Sequence, residues 1–129
     1  MENEIWKPIK GFENIYEVSN LGRVKSLARS IKAMYGKATH YSEQKVKERI
    51  LKPSFSTYGY AYVALSKNGK SKTTLVHRLV AEAFLDNPDN LPCVNHKDEN
   101  PRNDTVENLE WCTYTYNNTY KNIHLRRKK

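Results

Sequence analysis

The stretch VNHKDENPRNDTVENLEWCT, from Val94 to Thr113, decides how this chain folds. Cys93-Val94 is a short apolar run that leads into Asn95-His96. Asn108 to Cys112 sets Leu109 and Trp111 in alternation with Glu110, the two-residue period of a half-buried strand. Between them, Lys97 to Glu107 is polar, crowded with Asn and Asp and interrupted by Pro101. Such side chains bond their own backbone, so Asp98, Asn100, Asn103 and Asp104 are expected to make turns. A helix is expected from Thr113 through Tyr116, Asn117 and Tyr120. The order is therefore strand, loop, strand, helix, with His96 closing the first strand and Asn117 near the start of the helix. A hairpin packed on that helix would bring Asn95, His96 and Asn117 to one pocket, with room for one divalent cation, one base and one phosphate.

Working upstream, YGYAYVALSKNGKSKTTLVHRLVAEAF (residues 58–84) changes period midway. Tyr58, Tyr60 and Tyr62 alternate with Gly59, Ala61 and Val63, which predicts a strand. Asn68-Gly69 is a strong signal for a two-residue type I′ hairpin turn. After the return strand from Thr73 to Val76, Leu79, Val80, Ala83 and Phe84 fall on one face of a helix expected near 77–85, ended by Asn87-Pro88-Asp89-Asn90. His77 opens that helix and reads as a packed residue. The tyrosine row suits either a sheet face or a DNA contact. Residues 1–27 read as short strands separated by turns at Gly11 and Asn20-Leu21-Gly22. Residues 28–50 lack apolar periodicity and read as a long basic loop.

The chain of 129 residues has a net charge of +8, and the distribution matters more than the sum. Residues 86–116 hold seven Asp/Glu against two Lys/Arg, whereas residues 1–52 hold eleven Lys/Arg against six Asp/Glu. A basic body suits a polyanion, nucleic acid above all, or simply a highly soluble surface. An acidic island within it suits a place where a cation is held beside phosphate. No apolar run approaches the roughly 20 residues of a membrane span. MENEIWKPIK lacks the apolar core of a signal peptide, so a cytoplasmic protein is expected. Cys93 and Cys112 are then expected as buried thiols, too few for a good zinc site.

Val94-Asn95-His96-Lys97-Asp98, Asn103-Asp104, Asn108-Leu109-Glu110-Trp111 and Asn117 together resemble the HNH nuclease motif, the His-Me finger or ββα-metal unit. Val76 to Ala81 is similar to the helix that leads into this motif in phage and intron homing endonucleases. Trp6 to Ile9, Gly11-Phe12, Tyr16 to Asn20, Gly22 to Val24 and Ser26 are similar to the small DNA-binding motif often fused upstream. The resemblance implies an α+β fold: small antiparallel strands at the N-terminus, a helix, then a C-terminal ββα-metal unit. It divides the chain into residues 1–58, a DNA-binding motif plus basic loop, and 59–129, a nuclease domain with a basic tail.

The same resemblance implies a divalent-metal-dependent DNA endonuclease, nicking or cutting both strands, or alternatively a DNA-binding protein that keeps the fold without activity. It implies His96 as general base and Asn108 as the residue tying the loop that aims it. Asn95 and Asn117 become ligands of one Mg²⁺ or Mn²⁺. Many relatives carry Asp where Asn95 stands, and an amide oxygen holds a hard cation more weakly than a carboxylate. Double-stranded DNA is the implied partner, gripped through Arg23, Lys25, Arg29, Lys32, Lys97 and Arg102 by a monomer or homodimer of phage or prophage type.

Overall fold

The structure, a computed structural model, describes residues 3–35 and 40–116. Its N-terminal part is a meander of short strands, β1 (Trp6–Pro8), β2 (Tyr16–Ser19) and β3 (Val24–Ser26), paired antiparallel in sequence order. Val18 and Val24 are buried partners in this sheet, and Ser19 and Ser26 are buried beside them. Residues 28–50, expected as a loop, instead form β4 (Arg29–Tyr35) and β5 (His40–Val46), followed by β6 (Arg49–Ile50). β4 and β5 pair over seven residues, from Arg29↔Val46 to Tyr35↔His40, and β6 returns to pair with β3. Residues 28–50 lack the apolar periodicity that marks a half-buried strand. A ladder that pairs only with itself satisfies its backbone without announcing a buried face.

The second sheet is β7 (Ser54–Phe55), β8 (Ala61–Lys67) and β9 (Lys70–Leu75). Asn68-Gly69 makes the expected two-residue turn, with Lys67 paired to Lys70 and φ of 54° and 75° at the turn residues. Positive φ at both centres matches the right-handed twist of the strands. Ala61, Val63 and Leu65 point inward on β8, as the period of two requires. β9 runs directly into α1 (Val76–Phe84), whose Val76, His77, Leu79, Val80 and Ala81 are buried. The expected division at 58/59 falls in the turn joining β7 to β8, which pair with each other.

β10 (Cys93–His96) and β11 (Leu109–Cys112) form the hairpin expected from the opening stretch. A short 3₁₀ turn, Val106–Asn108, leads into β11. Residues 114–116 are helical, and Asn117 with the rest of the expected helix lies outside the described residues. Helix α1 packs against β2, β8, β9, β10 and β11. One core results, running from Ile9, Tyr16, Val18 and Val24 through β8 and α1 to Val94 and Leu109. Fully burying each large apolar side chain contributes about 1.5–3 kcal/mol, so neither end of the chain has a core of its own to fall back on. The Tyr16 hydroxyl accepts the Ser66 backbone N–H at 3.0 Å and pins the first sheet to the second.

Candidate functional site

The register of the hairpin sets the site. Cys93 faces Cys112, Val94 faces Trp111, Asn95 faces Glu110 and His96 faces Leu109. Leu109 is buried in the core, and Trp111 packs against its edge with its indole N–H donating to the Leu85 carbonyl. These anchors fix the strand that presents His96. The two cysteines are neighbouring thiols, Cys112 buried and Cys93 half-buried.

The loop between the strands is tied by its own polar side chains. Asn108 donates from Nδ2 to Asp98 Oδ1 at 2.9 Å and to the Asn103 carbonyl at 2.8 Å. Its Oδ1 accepts the Asp98 N–H, and its carbonyl accepts the Lys97 N–H at 2.7 Å. Asp98 also accepts from the Asn100 N–H and from Asn103 Nδ2, and Asn100 Oδ1 accepts the Arg102 N–H. Asp98, Asn100 and Asn103 are thus the turn-makers the sequence suggests. Hydrogen bonds from the Asn103 side chain, then from the Asn100 backbone and Asn108, hold the Asp98 carboxyl below its ordinary pKa.

Asp104 departs from that expectation. It is buried, and its Oδ1 lies 2.7 Å from His96 Nε2. A carboxylate oxygen only accepts, so His96 donates from Nε2, and in the neutral ring the lone pair is then on Nδ1. Two more rings close the cluster. The His77 ring lies 4.9 Å from that of His96, and Tyr60 lies 5.4 Å from His77 and 5.8 Å from His96, centroid to centroid. The signals for Asp104 and Tyr60 in the sequence were weak: one sat among turn-forming acids, the other in a strand of alternating tyrosines. His77 is packed, as read, but packed against the candidate base.

Two donor sets could take a metal. His77, His96 and Asp104 bring one ligating atom each within 4.8 Å of one another. Two imidazoles and a carboxylate suit Zn²⁺ better than Mg²⁺. The 2.7 Å contact, however, already commits His96 Nε2 and Asp104 to each other as a hydrogen bond. Beside them, Asn95 is buried and donates from Nδ2 to Glu110 Oε1 at 2.9 Å. That bond engages the amide nitrogen and one carboxylate oxygen; the Asn95 Oδ1 and the other Glu110 oxygen are hard donors of the kind that Mg²⁺ or Mn²⁺ prefers. Glu110 was passed over in the sequence as the solvent-facing partner of an alternating strand.

The expected DNA contacts divide. Arg23 is exposed but ion-paired with Glu4 and stacked near Trp6. Lys25 lies 3.7 Å from both Glu17 and Glu48, over the Trp6 ring. Arg29 is turned inward, donating from Nη1 to Ser26 Oγ and to the Leu27 and Ile15 carbonyls. Lys97 and Arg102 are exposed on the site's loop, with the Arg102 guanidinium 4.3 Å above Phe55. The Lys32 side chain lies outside the described residues. Lys45, Lys47, Arg49 and Lys52 are all exposed.

Residues 4–66 match the NUMOD4 motif. Over 112 residues, 87% of this chain, it is 39% identical to HNH endonuclease L245 of Acanthamoeba polyphaga mimivirus and 38% identical to the DNA endonuclease I-HmuI of Bacillus phage SP01. It spans 28% and 54% of those relatives, about half their length or less. A solved structure described as DNA binding and cleavage by the HNH homing endonuclease I-HmuI superposes with a TM-score of 0.68 at 35% identity, covering all of this chain and 61% of that one.

Proposed function

This chain is a homologue of the HNH homing endonucleases that carries a NUMOD4 motif, and from that premise we propose that it hydrolyses phosphodiester bonds of double-stranded DNA, with His96 as general base. The observation that carries the reading is the buried His96–Asp104 hydrogen bond at the end of a hairpin whose loop Asn108 ties shut. A neutral imidazole with its lone pair on Nδ1 takes a proton from water. The water oxygen bonds to phosphorus as the bond to the 3′ oxygen breaks, and that oxygen leaves to take a proton from solvent. The products are a 5′-phosphate and a 3′-hydroxyl.

Asn95 and Glu110, with Asn117, would hold one Mg²⁺ or Mn²⁺. Glu110 contributes the carboxylate that Asn95 lacks. Such an ion, when bound, supplies positive charge against the negative charge that develops on the phosphate. Exposed Lys97 and Arg102 meet the backbone near the scissile bond, and the basic surface of residues 45–52 extends the grip.

Supercoiled plasmid incubated with the pure protein tests this. Relaxed or linear product is expected with Mg²⁺ or Mn²⁺, none with EDTA, and a loss of about 10²–10⁴-fold in rate for His96→Ala. Binding without cleavage under both ions would mean a DNA-binding protein on a nuclease fold. Substituting Glu110→Gln is expected to raise the metal concentration needed for half-maximal cleavage, while metal-free DNA binding stays as it was.

A further inference from the structure

The turn between the second and third strands of the N-terminal sheet meets the nuclease site at Asp104. The turn Ser19-Asn20-Leu21-Gly22 is rigid in itself: the Ser19 hydroxyl accepts the backbone N–H groups of Leu21 and Arg23, and the Gly22 N–H donates to the Ser19 carbonyl. Its Asn20 carbonyl accepts the Val106 N–H at 2.9 Å, two residues beyond Asp104. Gly22, at φ +87°, lies flat against Asp104: a Cβ built on it would stand 2.9 Å from the Asp104 Cβ and 3.0 Å from its carbonyl oxygen. On the other side, the Asn103 carbonyl is held by Asn108. Asp104 is thus clamped between a tie from its own loop and a turn more than eighty residues earlier in the chain, and its carboxylate is spent on His96 Nε2.

We propose that Asp104 is a positioning residue for His96 and that the Gly22 turn of the NUMOD4 motif holds it in place. The carboxylate accepts the Nε2 proton, which fixes one imidazole tautomer and one ring orientation and keeps the lone pair on Nδ1. The N-terminal motif then serves the chemical step as well as the grip on DNA. This rests on the reading of His96 as the base.

The test compares Asp104→Asn, Gly22→Ala, Gly11→Ala and His96→Ala in the full chain. Gly11 shares the φ of +87°, but a Cβ there meets nothing within 4 Å. It therefore carries the same backbone strain without the contact. Single-turnover cleavage, DNA affinity in EDTA and the ¹⁵N signals of the His96 ring are measured on each. Asp104→Asn is isosteric, and its amide can accept from a protonated Nε2 or donate to a bare one. It is expected to lose ~10–100-fold in cleavage rate, to bind DNA as wild type does, and to show His96 as a mixture of tautomers where wild type shows the Nε2–H form alone. Gly22→Ala is expected to follow it, and Gly11→Ala to cleave as wild type.

An Asp104→Asn protein that cleaves at the wild-type rate, or keeps a pure Nε2–H ring, overturns the role of Asp104. Equal cleavage by Gly22→Ala and Gly11→Ala overturns the role of the turn. If His96→Ala itself still cleaves normally, the reading of the base fails and this inference falls with it. A dead His96→Ala beside a normal Asp104→Asn sinks the inference alone.

Discussion

Asp98 and Asp104 lie in one loop and look alike in the sequence, yet they do different things. Asp98 holds the loop: it gathers bonds from Asn103, the Asn100 backbone and Asn108, and these keep its folded pKa below the ordinary value. The stabilisation is therefore present above the unfolded pKa of about 3.9 and is lost as pH falls through the lower folded value. Wild-type protein is expected to lose thermal stability more steeply below about pH 4 than Asp98→Asn, which has no charge to titrate there; parallel melting curves from pH 5 to pH 2 would refute this. The resemblance to the HNH motif marked Asn95, His96 and Asn108, because that motif is local in sequence. It did not mark Asp104, Tyr60, His77 or Glu110 as partners, because each meets the site only through the register of β10 on β11 or the packing of α1. A turn-forming acid and a histidine-orienting acid share one letter, and burial separates them.

Among elements, turn chemistry was legible and a self-paired ladder was not. Asn68-Gly69 names its own turn, because few residue pairs accept positive φ at both centres. Gly69→Val puts a β-branched side chain at φ 75° and is expected to cost about 1–3 kcal/mol, read as a lower urea midpoint with an unchanged slope. An equal midpoint would mean that the turn rearranges. The β4–β5 hairpin escaped the same reading because its register mixes polar pairs such as Lys32↔Glu43 with mixed pairs such as Ile31↔Gln44. Nothing in an alternating polar pattern distinguishes such strands from a loop, since it is the backbone ladder that defines them.

For the whole molecule, the basic residues differ in their partners. Lys25 sits between two glutamates and Arg29 caps the backbone of its own turn, whereas Lys47, Arg49 and Lys52 stand exposed. Replacing Lys47, Arg49 and Lys52 by Ala is expected to flatten the log–log salt dependence of DNA affinity by about 0.9 for each phosphate contact removed. Replacing Lys25 and Arg29 is expected to lower stability more than slope; the opposite ranking, from titrations of one duplex at several salt concentrations, would return the grip to those two. The sequence lists the NUMOD4 motif and the β10–β11 hairpin one after the other, but the shared core makes them one body, a fact that lives in contacts between distant residues. Two tryptophans make this visible. Trp6 lies under Lys25 in the first sheet, and Trp111 donates to the Leu85 carbonyl in the last hairpin. Each is a fluorescent reporter for its own end of the chain. With Trp6→Phe and Trp111→Phe leaving one lamp apiece, both ends should go dark or bright at the same denaturant concentration, relative to each variant's circular dichroism, because a core that neither end owns can only be lost once.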